Sequence, residues 1–155
     1  MIIGRLNHGG STHWNVDTET TEIPFDAILS GVQLSFERDI DNAAGAARAA
    51  FVSPGSYIDQ EYLLAKQEAS EWLANGKDES SVPASVADHV AMTGQTTEEA
   101  ANEIVATAEQ WEQALSAIRS LRLAGKTAVR QSETVEAKEA AAQNAITQLK
   151  AFRPQ

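Results

Sequence analysis

Two histidines and an aspartate near the start of the chain are the residues best suited to hold a metal ion. His8 and His13 are followed by Asp17. On a β-hairpin these three side chains could converge on one cation, because His13 and Asp17 share a strand face. No second histidine pair and no H-E-x-x-H spacing supports such a site. A polar turn with exposed strand positions is the better interpretation, and we expect neither a metal nor another cofactor.

Paired carboxylates occur at Asp39/Asp41 and at Glu98/Glu99. Two carboxylates across a cleft, one of them with a raised pKa, are the machinery of glycoside hydrolysis. Both pairs lie instead near predicted helix starts, where negative charge interacts favourably with the helix dipole. The serines lie in no G-x-S-x-G context, and no motif places a base beside one of them. We therefore expect no catalytic residues and no enzymatic activity.

Four basic side chains line one face of a predicted C-terminal helix, namely Arg119, Arg122, Lys126 and Arg130. A nucleic-acid groove would use such a face, but the chain carries 22 acidic against 12 basic side chains, a formal charge of −10. That field repels nucleic-acid phosphates and anionic lipids. We expect a solvated face that pairs with glutamates, no nucleic-acid partner and no membrane insertion.

Length and composition are those of one ordinary soluble domain. The chain has 155 residues and no cysteine, which excludes disulfides and thiolate chemistry. No apolar run reaches the roughly 18–20 residues that span a bilayer, and no export signal is visible at the N-terminus. Alanine supplies 27 residues, so the helices gain little from burial and are expected to depend on neighbours, including other copies of the chain.

Residues 1–35 form a predicted β-rich docking element. A β-prone run over residues 1–6 is closed by a turn at 7–10, and residues 13–17 roughly alternate. Residues 28–34 could supply a third short strand, with Gly31 as a bend. So few strands cannot build a large core, and the element must pack against helices or against another subunit.

A candidate docking face of this element comprises Trp14, Ile23 and Phe25. Trp14 is flanked by polar residues, unlike Trp72 and Trp111, which fall on apolar helical stripes. It could act at an interface or stack on a carbohydrate. Packing of Trp14 on the first helix is the favoured interpretation.

Residues 36–94 form a predicted helical module. The first helix begins at Phe36 and is rich in alanine and glycine, so that another helix can approach it closely. A Ser53-Pro54-Gly55 turn follows, and Ser56 caps a second helix that ends before Gly76. A short helix over residues 84–92 is closed by Gly94.

Residues 95–155 form a predicted C-terminal helical hairpin. Thr96 and Glu99 make a capping box that opens a long helix, and its apolar phase continues through Gly125 to about Arg130. Ser132 or Thr134 caps the last helix. The apolar stripes are narrow, so we expect burial against other copies. The predicted self-association interface is Ile104, Trp111, Leu115, Ile118, Ile146 and Leu149.

Two stretches carry a resemblance to a known group of proteins. The run SFERDIDNAAGAARAAFVSPGSYIDQEY, and the later MTGQTTEEAA followed by Trp111 and IRSLRLAGK, resemble small alanine-rich proteins encoded among the tail genes of tailed bacteriophages. The resemblance covers residues 31–153. It implies a short β-rich N-terminal part, alanine-rich helices and a place among tail-fibre or baseplate components or their assembly helpers. It brings no catalytic residues.

Together these observations predict a mainly α protein with a small N-terminal β-element, its helical bundle completed by oligomerisation. The function expected from the resemblance is that of a structural tail protein, a tail-fibre or distal-tail adaptor in the virion, made in the host cytoplasm. Its expected partners are other tail proteins and copies of itself, a trimer being the first guess. The alternatives are an assembly chaperone absent from the virion and, less favoured, a small fibre-borne depolymerase.

Overall fold

The chain folds into helices that follow a single β-hairpin, and the predicted mainly α class with a small N-terminal β-element is confirmed. The computed structural model describes residues 1–50 and 58–153. Within them the elements are β1 (Ile2–His8), β2 (Ser11–Asp17), α1 (Phe25–Ala49), α2 (Ile58–Ala74), a 3-10 turn (Glu79–Ser81), α3 (Ala84–Thr93), α4 (Thr97–Gln131) and α5 (Val135–Ala151).

The chain divides into two compact units. The first combines the hairpin and α1 with residues 117–153, and the second is built from residues up to 116 that include α2, α3 and the start of α4. Helix α4 thus contributes to both units. The boundary predicted after residue 35 falls inside α1.

The hairpin closes through Gly9 and Gly10, whose φ angles of 60° and 79° are both positive. Positive φ at both central positions is typical of a type I′ turn, whose twist suits the strands on either side. Ile3 pairs with Val16, and Leu6 with His13. Ile3 and Leu6 are both buried although three residues apart. A flat strand would place them on opposite faces, so the hairpin twists between them, where Asn15 has a φ of 51°.

Residues 28–34 are helical, and the prediction of a third strand there was wrong. Helix α1 begins at Phe25, directly after Pro24, rather than at Phe36. Ile28, Val32 and Phe36 are buried at four-residue spacing, which continues the apolar stripe of the helix backwards. The β-branched side chains of Ile28 and Val32 favoured a strand locally, but packing on the helical stripe outweighs that preference.

In the first unit, α1, α4 and α5 meet through small residues. Gly125 of α4 lies against Ala145 of α5 and Ile40 of α1, and a Cβ added at Gly125 would overlap with Ala145 Cβ. At the other end of α1, a Cβ on Gly31 would overlap with Leu6 of the hairpin. Close approach at these two glycines joins the three helices and seats the hairpin on α1.

In the second unit, Trp72 anchors a small core between α2, α3 and the start of α4. It packs with Ala69, Val86, Ala100 and Ala101, and its indole N–H donates to the Asp78 carbonyl at 3.0 Å. The predicted turn at Ser53-Pro54-Gly55 and the predicted cap at Ser56 lie outside the described residues.

The helix ends that local patterns predicted are confirmed. The Thr96 hydroxyl accepts from the Glu99 amide, and the Glu99 carboxylate accepts from the Thr96 amide, as in a capping box. Gly94 ends α3 in a left-handed conformation, and Thr134 caps α5. Helix α4 continues through Gly125 to Gln131, close to the predicted end at Arg130.

The contact at Gly125 can be tested against a glycine in open space. Gly125→Ala forces α4 away from α5, whereas Gly45→Ala meets no heavy atom within 4 Å among the described residues. Both changes favour the helix by about 1 kcal/mol, so their difference isolates the packing. Urea unfolding should show Gly45→Ala more stable than wild type and Gly125→Ala about 1–3 kcal/mol below Gly45→Ala. Equal stabilisation by both would contradict the close packing at Gly125.

Candidate functional site

The outward face of the hairpin presents a large aromatic side chain to solvent. Trp14 is 66% exposed, and Arg5, its partner across the two strands, stacks over its ring at 5.5 Å from the centroid. Ile2, at the start of the same hairpin, is 65% exposed. The opposite face is buried through Ile3, Leu6 and Val16, so the fold holds this outward face in a fixed position.

The three residues of the predicted docking face differ in exposure. Trp14 and Ile23 both line an open groove between β2 and the start of α1. Phe25 follows at the first position of α1 and is 59% exposed, whereas Ile23 is half-buried. The structure therefore places them near one another in sequence and at the surface, and their docking role stays a prediction.

The same groove is lined by His8, His13 and Asp17. These side chains do not come together as metal ligands. Across residues 1–50 and 58–153, no group of three or more His, Asp or Glu side chains is arranged to hold a metal ion.

The basic face predicted on α4 forms a charged layer against α1. Arg130 binds Glu37 through two hydrogen bonds of 2.8 Å, from Nε and from a terminal nitrogen. Lys126 lies between the two carboxylates, 2.8 Å from Asp41 and 3.5 Å from Glu37. Arg122 donates to Asp41 at 2.9 Å. Its centre is shielded, since the side chain of Glu37 is only 10% exposed and that of Lys126 17%, whereas Asp41 is 38% and Arg130 57% exposed.

These contacts hold both carboxylates in the charged form. The hydrogen bond from Arg130 has the largest effect on Glu37 and, against the effect of burial, lowers its pKa below the ordinary 4.5. Burial raises the pKa of Asp41, but hydrogen bonds and charge from Lys126 and Arg122 outweigh it, so that the pKa lies below 3.8. A lowered pKa is the opposite of what a general acid needs. The layer is therefore suited to holding α1 against α4.

The sequence predicted a basic face that pairs with glutamates, and Glu37 is such a partner of Arg130 and Lys126. It predicted neither that this partner lies on α1 nor that Glu37 and Lys126 are shielded. Arg119 is exposed, as a solvated face requires, whereas the other three cations reach α1. The sequence feature that could have indicated the pairing is the spacing: Glu37 and Asp41 are four residues apart, as are the successive cations of α4 that reach α1. Asp39 and Asp41 do not lie near a helix start, because α1 begins well before them.

Lys138 is a buried cation that sequence reasoning missed. Its side chain is on α5, the residue is 3% exposed, and Nζ donates to the Val129 carbonyl at 2.8 Å. Val129 lies in the last turn of α4, whose final carbonyls have no partner within the helix. Lys138 therefore caps α4 from the neighbouring helix. No local pattern marks this role, because it depends on where α4 ends relative to α5.

The two carboxylates of the second pair, Glu98 and Glu99, make different structural contacts. Glu98 forms an ion pair with Lys77, and Glu99 belongs to the capping box described above. Both residues lie in the first turn of α4, which agrees with the capping role that their position predicts.

The six residues of the predicted self-association stripe are distributed over both units. Ile118 and Leu149 are fully buried within the single chain. Ile104 packs against the Trp72 core, and the ring of Trp111 lies 6.4 Å from that of Tyr62 on α2. Leu115 and Ile146 are half-buried. Self-association through this stripe stays a prediction, with Ile118 and Leu149 facing their own chain.

A second exposed apolar patch lies on α2. Leu63 is 62% exposed and Leu64 56%. Exposed polar residues surround them, among them Gln60, Glu61 and Gln67. Sequence reasoning missed this patch because it followed the buried stripe of α2 through Trp72.

Comparisons with known proteins give no relative for this chain: no protein-family model, no curated protein and no solved structure matches it. Among the described residues, no helix combines the length and the apolar character needed to cross a membrane.

Acid should weaken the fold through the charged layer. Because the folded-state pKa values of Glu37 and Asp41 are lowered, their stabilising effect is complete above the ordinary values of 4.5 and 3.8. It is lost as pH falls through the folded pKa. Glu37→Gln should therefore reduce stability at neutral pH and make the unfolding free energy fall less steeply with acid. Urea unfolding at a series of pH values measures both effects.

Glu139→Gln is the matched control, since Glu139 is exposed on α5 and lies outside the layer. If Glu139→Gln flattened the pH dependence as much as Glu37→Gln, the acid sensitivity would not arise between α1 and α4.

Proposed function

We propose that this chain is a structural component of a bacteriophage tail, a tail-fibre or distal-tail adaptor that acts through protein–protein assembly and not through catalysis. The resemblance of residues 31–153 to tail-encoded proteins supplies the context. The observation that carries the assembly role is Trp14, 66% exposed and stacked with Arg5 on a hairpin that is fixed to α1.

Trp and Arg are the side chains that most often dominate binding energy at protein interfaces, provided that a partner excludes water from them. Here they stand together on a rigid element, so little conformational entropy is lost when a partner covers them. In the proposed role the hairpin docks on a neighbouring subunit of the tail, which is either another tail protein or a further copy of the chain. The chain is present as an oligomer, a trimer being the first expectation.

Mass spectrometry of purified phage particles tests the proposal. We expect the chain in stoichiometric amounts relative to the other tail proteins. Its absence from particles would contradict the structural role. If it were absent from particles but bound to the fibre protein in infected-cell extracts, the chain would be an assembly chaperone.

A phage carrying Trp14→Ala tests the docking face itself. We expect its particles to contain markedly less of the chain, because truncating a central interface tryptophan weakens binding by 2 kcal/mol or more, roughly 30-fold. Met92→Ala is the matched control, since Met92 is 75% exposed on α3, away from the hairpin in sequence. Equal incorporation of both variants would remove Trp14 from the docking face.

A further inference from the structure

We propose that the chain binds a second copy of itself head to tail, with the outward face of the hairpin of one copy seated on the exposed face of α2 of the next. The hairpin face comprises Ile2, Arg5 and Trp14, and the α2 face comprises Glu61, Leu63 and Leu64. The proposal names one partner and one surface for the proposed assembly role, on which it rests.

The hairpin face is apolar with a positive charge. Residues 1–16 contain Arg5 and no acidic side chain, in a chain whose formal charge is −10. Ile2 and Trp14 supply the apolar area, each about two-thirds exposed. Arg5 is the cation of this face. The carboxylate of Asp17, which lies opposite Ile2 on the neighbouring strand, is 3.8 Å from the N-terminal ammonium group, so an acidic partner can approach Arg5 with little repulsion.

The α2 face is apolar with a negative charge. Leu63 and Leu64 are both more than half exposed. Glu61 lies one helical turn before Leu64, at the edge of the face, and Leu63 lies on the other side of Leu64. The whole of α2 carries four acidic side chains and one lysine. That lysine, Lys66, is held by Glu112 at 2.7 Å, so it does not neutralise Glu61.

Charge decides between a head-to-tail contact and a symmetric one. A twofold contact between two hairpin faces would bring both Arg5 side chains into one interface, and one between two α2 faces would bring both Glu61 side chains into one interface. A hairpin face on an α2 face pairs Arg5 with Glu61 and covers the tryptophan and the leucines together. Like charges across an interface are strongly unfavourable, so the heterologous contact is the favoured one.

The predicted stripe on α4 and α5 is less accessible than these two faces. Ile118 and Leu149 are fully buried, and Leu115 and Ile146 are half-buried. A second copy can reach Trp14 and Leu63 without rearrangement of either chain. In the proposed contact Trp14 supplies most of the affinity and Arg5 supplies the orientation.

Mixing two variants, each with one of the two faces disrupted, tests whether the contact is head to tail. Trp14→Ala disables the hairpin face, and Leu63→Ser with Leu64→Ser disables the α2 face. Sedimentation is measured at about 0.15 M salt, where the Debye length is about 8 Å and the repulsion between acidic copies is screened. The mass of the wild-type assemblies should increase with protein concentration. Each variant alone should be monomeric. Their mixture should form a 1:1 dimer that grows no further, because it contains one intact pair of faces.

Other outcomes overturn the inference. A monomeric wild type would do so, as would assembly of Trp14→Ala alone. Assembly of the leucine variant alone would show a symmetric hairpin contact instead. Since all three substituted side chains are exposed, circular dichroism should confirm that both variants remain folded before their masses are compared.

A charge exchange provides a second, independent test. Arg5→Glu and Glu61→Lys should each weaken assembly, and the two variants mixed together should recover it. Arg38→Glu is the control, because the Arg38 side chain is 70% exposed on α1 and lies outside both faces. No recovery in the mixture would overturn the pairing of Arg5 with Glu61.

The experiments distinguish a failure of the head-to-tail contact from a failure of the tail role. A chain that is present in particles but monomeric when purified would overturn the head-to-tail contact and leave the tail role. A chain that assembles head to tail but is absent from particles would overturn the tail role and leave the contact.

Discussion

The antiparallel charged layer between α1 and α4 is the constraint on which the first unit depends. Glu37 and Asp41 lie one turn apart on α1 and face three cations, each one turn apart, on α4. Sliding either helix by a turn would separate the shielded charges of Glu37 and Lys126 from their present partners, which is costly. The layer therefore fixes one register. In that register Gly125 meets Ala145 and Ile40, so close packing and charge pairing select the same arrangement.

The need for charge pairing in addition to apolar packing follows from the amino-acid composition. Alanine buries little apolar area, and an alanine surface packs almost equally well in several registers. Ala44, Ala142 and Ala145 all lie in the core of the first unit. Buried bulky side chains such as Ile40, Ile118 and Leu149 help to select one arrangement. Directional contacts add to that selection, namely the bidentate Arg130–Glu37 pair and the cap that Lys138 places on α4.

What the sequence predicted well is what neighbouring residues decide. The capping box at Thr96, the left-handed Gly94 and the Thr134 cap all act within four residues, and all were predictable. Residues 28–34 were misassigned because their β-branched side chains are buried by contacts with distant residues. The burial of Glu37 and Lys138 was likewise beyond prediction, since each depends on a partner in a helix whose position the local pattern does not contain. The exposure of Leu63 and Leu64 has the same origin.

An exposed bulky side chain is significant in this chain because aromatic side chains are few. The chain has three tryptophans; Trp72 anchors a core and Trp111 packs on Tyr62, whereas Trp14 stands two-thirds exposed. A fold this poor in aromatic area would gain stability by burying that ring, yet the twist of the hairpin turns it outward and Arg5 stacks over it. The single-chain fold therefore leaves two-thirds of this residue exposed, and a partner that covers it buries that remaining area. Because Arg5 stacks on that ring, an acidic surface suits the proposed partner, and the exposed face of α2 is one that every copy carries.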